Sequence, residues 1–266
     1  MKLMALFLTL LTLGAWAQGE PPKPEELETE KNIESVFGVD QNKKFSFHQP
    51  TYFVFGDDDL KLQFSFKYRL ARSLDLYFAY SQVMFWDIWK ESRPFEDVNY
   101  KPELFYRLLE TKTGFFQSFD IGWLHTSNGQ DKEDSRSLDR VFIRSNIATK
   151  FRRHNVGAVI MIYNIYNEDA TNEDIVDHYG YWDALFYLSD LVHIEKQRLD
   201  LEVRAYAGKK IYDIDQGAYQ IGLIYRVGSD NFNPSIYFQR FEGYGENLLG
   251  YNKRRTEHRL GLMLYF

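Results

Sequence analysis

"TEHRLGLMLYF", Thr256–Phe266, is the stretch whose reading decides the fold. Leu260, Leu262, Leu264 and Phe266 share one parity, and Arg259, Gly261, Met263 and Tyr265 share the other. Side chains of an extended strand alternate between two faces, so this segment presents one wholly apolar face and one mixed face. A soluble β-sandwich would alternate in the same way. The number of such segments, their length and the placement of aromatic residues separate that case from a strand that faces lipid.

Working outward from the last segment, eleven more show the same character. They are Thr51–Phe55, Leu60–Leu70, Leu74–Trp86, Glu103–Glu110, Phe115–Ser127, Asp139–Phe151, Val156–Ile165, Tyr179–Leu188, Arg198–Gly208, Ala218–Val227 and Ser235–Phe241. Most are near the ~9–11 residues with which a tilted strand crosses a bilayer. The mean hydropathy of −0.45 does not oppose this, because alternating barrel strands average their apolar and polar faces away. Aromatic residues make up 17% of the chain, as expected where rings collect at both lipid–water boundaries. The reading is an all-β protein: a transmembrane antiparallel β-barrel of about twelve strands over residues 46–266, ending on Phe266 within an alternating strand.

The amino-terminal "MKLMALFLTLLTLGAWA" places Lys2 before an apolar run and Ala15-Trp16-Ala17 at its end, the pattern of a signal peptide over residues 1–17. Residues 18–45 are rich in Pro and Glu and weakly patterned, and are expected to be a mobile segment. An exported chain without cysteine must take its stability from a large core or a closed sheet. A formal charge of −6 and the lack of a basic, aromatic-interleaved patch exclude nucleic acid as a partner.

The most chemically loaded stretch is "LHTSNGQDKEDSRSLDR", Leu124–Arg140. His125 and Ser127 continue the parity of Phe119, Ile121 and Trp123, and Asp139 shares that of Val141, Ile143 and Ile147. In a barrel those apolar rows face lipid, so all three polar residues fall on the outside. Two readings follow from the residues alone. They form a solvated strand end at the aqueous rim, or a hydroxyl nucleophile, an imidazole base and an orienting group. The remaining histidines, His48, His154, His178, His193 and His258, show no ligand spacing and are expected at surface or rim positions. Arg140, Arg144, Asn146, Lys150, Asp120 and Gln220 fall on the inward parity, where they either interlock or line a channel.

"HTSNGQDKEDSRSLDR" resembles the signature of the outer-membrane phospholipase A family, and "KESRPFEDVNYKPELF" and "GYGENLLGYN" resemble two further segments of it. The resemblance runs from about Tyr52 to Phe266. It implies a calcium-dependent esterase of the A1/A2 and lysophospholipase type, acting on phospholipids at the outer membrane of a Gram-negative bacterium. Ser127 would be the nucleophile, His125 the base, and the Gly129 N–H a donor to the oxyanion. The third member falls on Asp139, where the family carries Asn. Calcium would be held by the Ser135 hydroxyl, the Gln130 carbonyl and Ser92 of the partner subunit, in a homodimer with Gln82 in the interface. On residues alone, a lumen-lining Gln82 is the alternative. Gly250 stands where the family has Asp, so the role of that acid is lost. Rival readings are a porin-like barrel without catalysis, a lipid A deacylase-type barrel hydrolase, and a soluble lipocalin-like module. The "SRS" and "GYGE" matches oppose the second; the strand number and terminal Phe266 oppose the third.

Overall fold

The computed structural model describes residues 44–71, 74–111, 115–152, 154–194, 197–227 and 234–264. The expected signal peptide, nearly all of the expected mobile segment, and Tyr265 and Phe266 lie outside the described residues. Each of the twelve expected segments is a strand. These are β2 (Thr51–Phe55), β3 (Leu60–Ala71), β4 (Leu76–Trp86), β5 (Phe95–Glu110), β6 (Phe116–Ser127), β7 (Ser137–Phe151), β8 (His154–Tyr166), β9 (Trp182–Ile194), β10 (Gln197–Tyr206), β11 (Ala218–Val227), β12 (Ser235–Gly243) and β13 (Arg255–Leu264). Consecutive strands pair antiparallel, and β13 returns to β2 with Leu262 opposite Phe53, which closes the sheet. Closure leaves no unpaired edge, a requirement for backbone in lipid.

A further short strand, β1 (Phe45–Ser46), lies along the far end of β3, with Phe45 opposite Tyr68. It continues the line of β2 across a break at residues 47–50. Ser65 Oγ accepts from the Gln49 N–H at 3.1 Å, and Gln63 donates to the Pro50 carbonyl at 2.8 Å. Side chains thus replace the ladder where Pro50 has no N–H to give.

β5 is 16 residues long, twice the expected Glu103–Glu110. A proline such as Pro102 usually marks a strand boundary. The ladder toward β4 nevertheless passes through Pro102, paired with Tyr80, while toward β6 the register skips from Tyr100–Ser127 to Glu103–Leu124. One missing N–H interrupts one side of the strand only.

Burial alternates as a barrel requires. Outward residues such as Leu104, Ile121, Val141 and Ile162 are exposed, and their chain neighbours are buried or half-buried. Inside, Phe105, Leu124, Leu138, Phe142 and Tyr163 pack with Ile175, Leu248 and Tyr251, which descend from the loops. Tyr52, Val54, Ile224, Tyr237 and Met263 form a second apolar cluster. Charged side chains fill the rest in matched sets, because a buried charge is tolerated only when paired. Arg144 bridges Glu103 at 2.8 Å and Asp120 at 3.0 Å, and Arg107 meets Asp120 at 2.8 Å. Arg259 joins Asp59 at 2.7 Å and Glu246 at 2.6 Å.

Most inward polar residues therefore interlock, around an internal cavity of about 210 Å³. Lys150 is the exception and is exposed near the end of β7. His48 is a correction: it is not at the surface but inside the barrel, 3.1 Å from Glu103. Sequence spacing gave no sign of this, because its carboxylate lies 55 residues on. Gly122 is also inward, and a Cβ there would meet the Leu104 carbonyl, Phe105 and Phe142 at 2.6–2.7 Å.

The two ends of the barrel differ. Residues 87–94, 128–136, 167–181, 207–217 and 244–254 form longer connections at one end, and the opposite end has shorter turns between several strands. That asymmetry is the outer-membrane pattern, with long loops outside and short turns in the periplasm. The barrel spans the outer membrane, and the "LHTSNG" strand end lies at its outer side.

Candidate active site

β6 carries His125 and Ser127 to the long-loop end, and β7 starts back with Asp139 directly opposite His125 in the ladder. Directly opposed residues on one face bring their side chains together. The His125 Nδ1 to Asp139 Oδ1 distance is 2.9 Å. His125 is partly exposed, while Asp139 is only 6% exposed although it shares the outward row of Val141 and Ile143. Its second oxygen explains how a carboxylate stands on that face: Asn167 Nδ2, at the end of β8, donates to Asp139 Oδ2 at 2.6 Å. Both oxygens are thereby satisfied. The Trp123 ring, next down the same row, lies 25° from parallel to the imidazole at 6.1 Å between centroids.

Ser127 is the i+2 neighbour of His125 on the outward face. Its hydroxyl makes no hydrogen bond among the described residues, so the serine–imidazole bond is not formed here. Such bonds are often long before substrate binds. Ser127 pairs with Ser137 across β7 and with Tyr100 across β5.

Gly129 follows with φ +67, and the Tyr100 ring lies 2.9 Å from where its Cβ would be. Glycine meets both the left-handed backbone and the crowding. Asn128, 2% exposed, pins the loop. Its N–H donates to the Arg136 carbonyl at 3.1 Å and its Nδ2 to the Asp134 carbonyl at 2.8 Å. Its Oδ1 accepts from the N–H groups of Gln130 and Arg136 at 3.3 and 3.0 Å.

The "SRS" segment is held by a neighbour remote in sequence. Ser135 Oγ donates to Asp169 Oδ2 at 2.9 Å, and Asn172 exchanges two bonds with the Ser137 backbone at 3.0 and 3.1 Å. The Thr171 N–H and hydroxyl, then the Ser135 hydroxyl, hold the Asp169 carboxyl below its ordinary range. Asn128, Asn167, Asp169 and Asn172 were not legible as site residues. Asn128 reads as half of an Asn-Gly turn, and "NEDATNED" reads as a solvated loop.

Ser135 and Gln130 share the 128–136 loop, with Gln130 exposed. Ser92 is exposed on a different connection, residues 87–94, and forms no hydrogen bond with Gln130 or Ser135. Gln82 is outward and half-buried, accepting from the Tyr80 hydroxyl at 2.8 Å, so the lumen-lining alternative is incorrect. Among the described residues no three His, Asp or Glu side chains cluster as metal ligands. Around Ser135 stand its hydroxyl, backbone carbonyls and the Asp169 carboxylate, with the exposed Asp131, Glu133 and Asp134 in the loop itself.

The family model described as Phospholipase A1 matches residues 33–264. The putative phospholipase A1 of Neisseria meningitidis is 27% identical over 219 residues, 77% of this chain and 54% of that protein. This chain thus spans about half the length of that relative. The phospholipase A1 of Escherichia coli K12 is 28% identical over 225 residues, 78% of this chain and 70% of the relative. Among solved structures, the Salmonella typhi outer membrane phospholipase dimer with bound calcium superposes with a TM-score of 0.68 at 22% identity, covering 87% of this chain and 96% of the other. An Escherichia coli outer membrane phospholipase A structure, of an active-site mutant with alanine for asparagine, gives 0.67 at 21%, covering 88% and 97%.

Proposed function

This chain belongs to the phospholipase A1 family, and from that premise we propose that it is a calcium-dependent outer-membrane phospholipase that cleaves acyl ester bonds with Ser127, His125 and Asp139. The observation that carries the reading is the 2.9 Å contact of His125 with Asp139 on the lipid-facing side of the strand end, two residues from Ser127. A triad outside a barrel makes chemical sense when the substrate is the lipid itself. Ester groups of the outer leaflet lie at the depth where an apolar wall gives way to polar loops.

Asp139 fixes the imidazole tautomer by accepting from Nδ1–H, which leaves Nε2 as the base facing Ser127. The Ser127 hydroxyl attacks the ester carbonyl as Nε2 takes its proton, and the imidazolium is stabilised by Asp139. The Gly129 N–H, on its left-handed backbone, donates to the developing oxyanion. His125 then returns the proton to the departing alcohol, and water hydrolyses the acyl-enzyme by the same route. Asp139 does the work of the family's Asn, with Asn167 completing it.

The donors fit calcium, a hard cation that takes carboxylate, carbonyl and hydroxyl oxygens. The Ser135 hydroxyl, the Gln130 carbonyl and Ser92 of the partner subunit would hold it, with Asp169 already beside Ser135. Bound there, the ion would supply positive charge beside the oxyanion. A homodimer is part of the same proposal, supported by Ser92 lying on a separate, exposed loop and by Gln82 facing outward, where a polar side chain favours a partner over lipid.

The test is release of fatty acid from phospholipid in detergent, with calcium and with chelator. Wild type should be active only with calcium, and Ser135→Ala and Ser92→Ala should each require more of it. Undiminished activity in strong chelator would remove the metal from the account.

A further inference from the structure

The catalytic strands have a second face. Thr126, between His125 and Ser127, points into the barrel and is 1% exposed. There it accepts from Arg140 of β7, which with Lys101 of β5 lines the internal cavity of about 210 Å³. The β5–β6 register, which passes from Tyr100–Ser127 to Glu103–Leu124, sets Lys101 beside Thr126, and Arg140 stands opposite Leu124.

The charges in this wall are unevenly matched. Among its carboxylates, Glu103 is held by Arg144 and His48, Asp183 by Arg204, and Glu246 by Lys61 and Arg259, while Glu202 accepts from the Tyr237 hydroxyl. The Lys101 side chain makes no hydrogen bond or ion pair with any described residue. Of the Arg140 nitrogens, Nη2 alone has an acceptor, Thr126 Oγ1 at 2.8 Å, and Nε is buried without a partner. The guanidinium is held between the Tyr163 and Tyr179 rings, 5.1 and 5.9 Å from their centroids. One side of the cavity is therefore a fixed guanidinium and an ammonium with surplus donors and no carboxylate in contact.

We infer that the lumen cavity binds a single small tetrahedral oxyanion, of the phosphate or sulfate class, between Lys101 and Arg140. A guanidinium and an ammonium are the pair that such anions select, the first for its planar fork and the second as a point charge. The volume is several times the roughly 30 Å³ share of one water in the liquid, so an anion fits with part of its hydration. The site lies behind the catalytic face, and the inference does not depend on the esterase reading.

The experiment is calorimetric titration of inorganic phosphate into the folded full barrel in detergent, in chelator and at constant ionic strength. Saturable binding of one phosphate per chain is expected, displaced by sulfate but not by equimolar chloride. Lys101→Met should weaken it at least tenfold and abolish the rise in unfolding temperature that phosphate gives wild type. Because the Lys101 side chain makes no bond that the described fold relies on, this variant should keep the heat-modifiable gel mobility of a folded barrel. Arg140→Gln, where it folds, should weaken binding similarly. Lack of saturable heat in wild type, equal displacement by chloride, or unchanged binding in Lys101→Met would each overturn the inference.

Discussion

Replacing Asp139 tests the orienting group, because this residue departs from the family pattern and carries two defined contacts. Asp139→Ala removes the acceptor 2.9 Å from His125 Nδ1 and the acceptor 2.6 Å from Asn167. A hydrogen bond to a charged group contributes about 1.5–3 kcal/mol net, which at about 1.4 kcal/mol per tenfold is a loss of roughly 10- to 150-fold in kcat. Asn167→Ala leaves the His125 contact and removes only the exposed donor behind it, so about 0.5–1.5 kcal/mol, or roughly 2- to 10-fold, is expected. Asp139→Asn keeps an oxygen for Nδ1–H, and the Asn167 amide can rotate to present its own oxygen to the new NH₂; kcat should stay within about tenfold of wild type. The assay is calcium-saturated fatty-acid release, with kcat and KM separated, on variants that retain folded gel mobility. If Asn167 acts only through Asp139, adding Asn167→Ala to Asp139→Ala should cost nothing more. Full activity in Asp139→Ala, or additive losses in the double variant, would refute the reasoning.

Three other perturbations address the scaffold. Gly122→Ala forces a Cβ within 2.6–2.7 Å of the Leu104 carbonyl, Phe105 and Phe142, so a loss of about 1–3 kcal/mol is expected, read from the guanidinium midpoint. Arg144→Met leaves Glu103 with His48 and Asp120 with Arg107 as their remaining partners, and breaking such a buried set should cost about 3–5 kcal/mol, seen as a lower temperature for loss of the folded gel band. The Asp169 carboxyl titrates below its ordinary 3.8 because Thr171 and Ser135 bind its ionised form. Its contribution is therefore complete above that value and disappears as pH falls through the lowered one. Proteolysis of the 167–181 connection should be unchanged from neutral pH down to about 4 and rise only below it, and Asp169→Ala should show the rise already at neutral pH.

The barrel was legible because a membrane strand must alternate, and little else in the chain competes with that signal. β2 and β11 fall where alternation put them, and most other ends differ by one to three residues. β5 runs beyond its expected Glu103–Glu110 and contains a proline, a residue that usually marks a strand boundary. Here it interrupts one ladder and spares the other. In the site, parity alone placed His125, Ser127 and Asp139 on one face, and the register opposed His125 to Asp139. The groups that complete it, Asn167 and Asp169, come from the next hairpin. Nothing local distinguishes them from a solvated loop, since their meaning lies in pairings 28 and 34 residues away. The lumen shows the same limit: parity put Arg144 and Asp120 inside and the hairpin opposes them, but the meeting of Arg259 with Asp59 depends on β13 closing against β2.

The central claim is that Ser127, activated by His125, is the nucleophile. Its most direct measurement is reaction with a fluorophosphonate carrying a long alkyl chain, followed by intact mass and peptide mapping. One adduct per chain on Ser127 is expected, lost in Ser127→Ala and strongly slowed in His125→Ala, while both variants stay folded. An adduct on any other residue, or phospholipid hydrolysis that survives Ser127→Ala, would contradict the account.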